Sequence, residues 1–155
     1  MLLSEGGTNL VEMASRKKRK KWDFFGASKR HYDDAMLLMA GVRLANAAQL
    51  FGLSAECGVK VIIEKIHNPL PDKLLKHANV LVNLLPNLQV SVNGRQEATY
   101  LAMVTQFKAF GNWHVDHRYQ SETNIPLTQH LKNWAMASRE VQLMLQKAQL
   151  DGVIQ

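Results

Sequence analysis

The feature that most constrains this chain is a stretch between residues 43 and 66 that is apolar around most of a helix's circumference. Leu44, Ala48, Phe51, Ala55, Val59, Ile62 and Ile66 recur in steps of three and four, the period of a helix. Ala47, Leu50, Cys57 and Val61 form a second apolar row beside the first, leaving a narrow polar strip of Gln49, Glu56, Lys60 and Glu64. A helix with so little polar surface must have protein on nearly all sides. Phe51, Val59 and Ile62 are therefore expected to be buried, with the other elements gathered around this rod. The 155 residues are enough for one domain with a core of its own. The single cysteine, Cys57, excludes an intramolecular disulfide and a multi-cysteine zinc site.

The remaining elements also read as helices. Tyr32, Ala35, Leu38, Met39 and Val42 recur at helical spacing after Ser28, which is read as the N-cap of a first helix; the chain breaks near Gly41. Asn68-Pro69-Leu70-Pro71-Asp72 ends the central helix, because proline lacks a donor and restricts its predecessor. Asp72 then caps a third helix expected from Lys73 to about Leu85, stopped by Pro86. Leu88 to Val92 alternates like a strand before Asn93-Gly94, a hairpin signal. The preferred reading instead makes Asn93 the N-cap of a fourth helix running to Phe110, with Gly111 as its C-cap. After an irregular, aromatic segment from Asn112 to Ile125, the series Leu127, Leu131, Trp134, Ser138, Val141, Leu145 and Ala148 marks a last helix packed along a seam. The expected fold is all-α, a five-helix, mainly antiparallel up-and-down bundle over residues 27–150. Residues 1–26 read as a basic N-terminal arm and 151–155 as a short tail.

Charge is concentrated in that arm. Nineteen Lys and Arg stand against thirteen Asp and Glu, and six of the basic residues are consecutive: Arg16, Lys17, Lys18, Arg19, Lys20 and Lys21. Without them the body is formally neutral. Such a run is either a solvated tail or one that meets an anionic partner such as nucleic acid. No apolar run approaches the roughly 18 residues of a spanning helix. The opening Met-Leu-Leu-Ser-Glu-Gly-Gly has no basic region followed by an apolar one, so no membrane association and a cytoplasmic location are expected.

Ser28 to Ile66 resembles the first two helices of the HEPN domain family, with His31, Asp34 and Ala35 at the start and Ala55, Glu56 and Lys60 in an Ala-Glu-x-x-x-Lys element. Lys76-His77 followed by leucines resembles the family's third helix. Asp116-His117-Arg118-Tyr119 and the helix after Pro126 resemble the Arg-Tyr segment and last helix of its nucleotide-binding branch. The resemblance implies an up-and-down helical bundle, a homodimer, and a nucleotide or RNA ligand. It also implies partnership with a small nucleotidyltransferase, in a two-part toxin and antitoxin module. Ribonucleases of the family pair Arg with His four to six residues later. No arginine here has that spacing: Arg30 adjoins His31 and Arg118 lies twelve residues before His130. A non-cleaving binding module is therefore expected. The alternatives are a divergent endoribonuclease using Arg118 with His77 or His130, and a helical scaffold for another chain.

The candidate binding residues are Arg118, Tyr119, His117, Glu56, Lys60 and His77, with Arg16 to Lys21 adding phosphate attraction. Arg118 with Tyr119 offers a guanidinium and a stacking ring; its bland counterpart is an ion pair, with Glu56 as the candidate carboxylate. Glu56 and Lys60, one turn apart, read as an exposed ion pair unless a pocket or dimer seam buries them. His114, Asp116 and His117 have donors suited to zinc or manganese, but loop histidines are more often surface or capping groups, and no metal or cofactor is expected. Cys57 has no positioned base and reads as a small core residue.

Overall fold

The computed structural model describes residues 22–68 and 70–155, and the basic run Arg16 to Lys21 lies outside the described residues. Among these residues the fold is all-α: five α-helices and four 3₁₀ segments, without a strand. The helices are α1 (Phe24–Ala40), α2 (Leu44–Ile66), α3 (Ala78–Ser91), α4 (Gln96–Leu101) and α5 (Leu127–Leu150). The 3₁₀ segments are Asp72–Leu74, Phe107–Asn112, Val115–Tyr119 and Glu122–Asn124. None of these helices is long and apolar enough to cross a membrane.

Helix α2 is the enclosed rod that its composition demands. Phe51, Val59 and Ile62 have no exposed surface, and α2 packs against α1, α3, α4, α5 and the Val115–Tyr119 segment. Helices α1 and α2 form an antiparallel hairpin, in which Ser28 meets Ser54, Tyr32 packs edge-on against Phe51, and Phe24 lies beside Lys60. The two serines bond reciprocally: each hydroxyl donates to the other's carbonyl oxygen at 2.7 Å. From α5, Gln142 donates its amide to both hydroxyl oxygens, at 2.8 and 3.2 Å. Three helices are thus fixed in register by four hydrogen bonds in a buried spot, each worth about 1 kcal/mol.

Close approach needs missing side chains. A Cβ on Gly58 would collide with Val141 and crowd Ser28 and Leu145, and one on Gly52 would collide with the Trp113 indole. Glycine costs a helix about 1 kcal/mol relative to alanine, and here that cost is offset by two contacts that no larger residue permits.

Several local boundaries differ from those expected from sequence. The cap of α1 is Asp23, whose Oδ1 accepts from the Gly26 N–H at 2.8 Å; Ser28 is buried inside the helix, where its hydroxyl serves tertiary contact. Asp72 opens a single 3₁₀ turn, and α3 begins only at Ala78. It also continues through Pro86 to Ser91. The apolar face of Ala78, Leu81, Leu85 and Leu88 is buried, and that burial outweighs the hydrogen bond that proline cannot give. Leu88 to Ser91 is therefore helix, and Asn93 belongs to the turn that follows, with Gly94 at φ 84°. The fourth helix is only Gln96–Leu101, without a side-chain cap, and Gly111 falls inside a 3₁₀ segment. Helix α5 agrees with its periodic seam, burying Trp134, Ser138, Val141, Leu145 and Ala148.

Helix α1 ends in a Schellman arrangement: the Arg43 N–H donates to the Leu38 carbonyl at 2.8 Å and the Val42 N–H to that of Met39 at 3.1 Å. The left-handed position this requires, φ 59°, is held by Val42 rather than by the neighbouring Gly41, and Val42 is exposed. A β-branched residue there is strained. Val42→Gly is expected to stabilise the protein by about 1 kcal/mol, net of the entropy glycine adds to the unfolded chain. Gly58→Ala is expected to cost about 1–3 kcal/mol by overpacking. Urea denaturation midpoints at constant slope check both.

Candidate functional site

Glu56 sits mid-way along α2 on its polar strip, and burial decides what it does. Oε1 accepts from Lys60 Nζ at 2.7 Å, in a pair whose side chains are 6% and 8% exposed. Oε2 accepts from the backbone N–H of Ala78 and from His77 Nδ1, both at 3.1 Å. The pair expected to be an exposed i,i+4 contact is therefore buried, and it is part of a larger arrangement. Glu56 supplies from another helix the N-terminal cap that α3 lacks in its own sequence, since His77 makes no side-chain capping bond. A carboxylate only accepts, so the proton of the neutral His77 ring belongs on Nδ1. This leaves Nε2 as the free acceptor on a ring that is 51% exposed. Lys60 also lies 5.6 Å from the Phe24 ring centroid, so its ammonium faces a carboxylate and an aromatic face.

Two neighbours feel this cluster. Burial pushes the Cys57 thiol up to about 11, with Glu56 adding to the shift and Lys60 and Arg30 opposing it; at neutral pH the sulfur is a protonated, inert thiol. His31, on α1, is pushed below its ordinary value by burial and then by Arg30, with Asp34 and Glu56 pulling the other way.

The second grouping surrounds Trp134. Its indole N–H donates to the Ala109 carbonyl at 3.0 Å and to Asn112 Oδ1 at 3.2 Å. His130 stacks on its ring at 5.6 Å, and His117 packs against it at 6.1 Å. Asn112 Nδ2 lies 2.9 Å from His130 Nε2. His117 is buried, 8% exposed, and its ring is held below the ordinary histidine range by burial and then by His114. It is a packed aromatic rather than an open ligand. His114 contacts Asn79 of α3 at 3.3 Å and lies 5.4 Å from His117, so the two groupings meet at the first turn of α3. Among the described residues no three His, Cys, Asp or Glu side chains converge to hold a metal ion.

Arg118 and Tyr119 stand apart from both. The Arg118 guanidinium lies 4.7 Å from the Tyr119 ring centroid, and Tyr119 is 76% exposed. Glu56, the suggested partner of Arg118, is instead engaged by Lys60, His77 and Ala78. Six expected site residues thus divide three ways: Glu56, Lys60 and His77 together, His117 inside the Trp134 cluster, and Arg118 with Tyr119 at the surface. The sequence reading missed Asn79, Asn112 and Trp113, the last donating its indole N–H to the Ala48 carbonyl at 3.0 Å. Gly52, a helical glycine one turn after Ala48, was the available signal for Trp113.

Gln49 lies on the strip shared by Glu56 and Lys60. It is 9% exposed, and neither amide atom has a hydrogen-bond partner. Comparison of the chain with protein-family models, with curated proteins and with solved structures finds no match in any of the three.

Two predictions follow from burial of these polar groups. Gln49→Leu removes an unsatisfied amide at similar volume and is expected to stabilise by about 1 kcal/mol or more, read as a raised thermal midpoint. His117 prefers the neutral form on folding, so the stability it contributes is complete above its unfolded value, near pH 6.5, and is lost as pH falls below that. Denaturant midpoints from pH 7.5 to 5 are expected to decline, and more gently in His117→Gln.

Proposed function

We propose that this chain is a non-catalytic, HEPN-like helical module that binds a nucleotide or single-stranded nucleic acid. What carries the reading is the Arg118–Tyr119 pair. A ring that is 76% exposed has a guanidinium over it at 4.7 Å. Arg118 makes no ion pair among the described residues. An exposed aromatic face beside an unneutralised fork suits a base and its phosphate. The basic run Arg16 to Lys21 would add sequence-independent attraction to phosphates. Glu56, Lys60 and His77 act in this reading as the frame that fixes the start of α3, with His77 Nε2 offering one further polar contact. The finer parts of the proposal rest on the sequence resemblance: an up-and-down antiparallel arrangement, a homodimer, a nucleotidyltransferase partner in a toxin and antitoxin pair, and a cytoplasmic setting.

A second reading, a divergent endoribonuclease, draws on one observation. Glu56 holds Nδ1 of His77 and leaves Nε2 free on a half-exposed ring, the disposition of a carboxylate-oriented general base.

Fluorescence anisotropy with a labelled oligoribonucleotide, and gel analysis of the same RNA after incubation, separate these readings. Tyr119→Ala is expected to weaken binding roughly 5- to 100-fold, as loss of one stacked base does. Arg118→Ala is expected to lower the salt slope by about 1. Replacing all six residues of the basic run is expected to lower that slope by about 4 if each meets a phosphate of the single strand. RNA left intact fits the binding module, cleavage abolished in His77→Ala favours the enzyme, and wild-type binding unchanged by Tyr119→Ala removes the reading.

A further inference from the structure

The chain has three tryptophans, and one of them is placed unlike the others. Trp113 and Trp134 are fully buried, and each donates its indole N–H, to the Ala48 and Ala109 carbonyls respectively. Trp22 is 47% exposed, and its N–H has no acceptor among the described residues. It stands just before Asp23, the cap of α1. Of the aromatic residues at this end, Phe24 and Phe25 pack against the core, and Lys60 lies over the Phe24 ring. Trp22 meets Phe24 with ring centroids 5.8 Å apart and planes at 79°. A perpendicular contact of this kind covers one edge or one face of the indole and leaves at least one face open. Core packing therefore accounts for Phe24 and Phe25 but not for Trp22, which has a braced ring with an open side.

Covalent adjacency adds charge. Lys21 precedes Trp22, so their Cα atoms are about 3.8 Å apart, and Arg16 to Lys20 come directly before it. An open ring joined to six consecutive cations combines the two elements that hold single strands without base preference, stacking and phosphate attraction. An anionic membrane also offers phosphates. The exposed residues of α1 and its cap, however, include Asp23, Asp33 and Asp34 against Lys29 and Arg30, a balance that does not attract a broad anionic surface. A single strand needs only the ring and the run.

We propose that Trp22 and the run Arg16 to Lys21 form a contact for single-stranded nucleic acid separate from Arg118 and Tyr119, with a base on the indole and phosphates on the cations. The inference takes its ligand class from the function proposed above and adds a stacking residue to it.

Titration of the full chain with an oligouridylate of about twelve nucleotides, followed by tryptophan fluorescence, tests this. With Trp113 and Trp134 enclosed, quenching reports Trp22, and saturable quenching is expected. In anisotropy, Trp22→Ala is expected to weaken binding roughly 5- to 100-fold at an unchanged salt slope, while Trp22→Phe keeps most of the affinity. Quenching that persists in Tyr119→Ala supports this contact even where the Arg118–Tyr119 reading fails. Binding lost in Tyr119→Ala, with Trp22 of the otherwise unaltered chain unquenched, overturns this contact alone. Affinity unchanged in Trp22→Ala overturns it as well, as does an emission shift with phosphatidylserine vesicles and none with oligouridylate.

Discussion

The structure depends on how closely other elements can approach α2. A helix enclosed on nearly all sides has to present small residues where neighbours touch it, and α2 does so at Gly52, Ser54, Ala55 and Gly58. At Gly58 the branched side chain of Val141 occupies the space of a missing Cβ, and at Gly52 the Trp113 indole does the same. Beside Gly58, the reciprocal Ser28 and Ser54 bonds, with Gln142 closing the group, satisfy the two serine hydroxyls that this closeness would strand. The steric and hydrogen-bond requirements select the same few positions, so register among α1, α2 and α5 follows from both.

Burying α2 also buries its polar strip, and the strip's members fare differently. Glu56 and Lys60 survive because the carboxylate is saturated by an ammonium, an imidazole and a backbone N–H. A buried pair of this kind is weak evidence for net stability. What it supplies here is position: the start of α3, and with it His77 and Asn79, is placed by a side chain from another helix. Gln49 has no such set of partners. The contrast within one strip shows that burial was imposed by the apolar rows and that polar satisfaction was achieved locally, residue by residue.

The parts legible in the sequence are those governed by long periodicity. Seven apolar positions across α2 and six along α5, with Ser138 in the same row, each fix a face, and the observed burial of Phe51, Val59, Ile62, Trp134 and Val141 follows. Short-range signals were less dependable because tertiary contacts override them. Asp72 is a good cap by itself, yet the cap of α3 comes from Glu56, twenty-two residues before Ala78. Pro86 should end a helix, yet Leu85 and Leu88 bury the face on either side of it. For the site, the Glu56 and Lys60 spacing was visible while its burial was not, since an i,i+4 pair reads the same inside or outside. The Arg118 and Tyr119 juxtaposition was legible because adjacent residues need no fold to meet.

Between Ala102 and Pro126 the chain carries no α-helix, only short 3₁₀ turns. It is held to the helical core at discrete points: Glu140 at its start, Trp113 over Gly52, His114 against Asn79, and Trp134 with Asn112. A ladder distributes its load over many equivalent bonds, whereas this stretch is held by individual side chains, the buried Val104, Phe107 and Phe110 among them. Arg118 and Tyr119 ride on it. Because Trp113 and Trp134 are also fully buried members of the core, the way the surface pair is presented is tied to the packing of the helices beneath it.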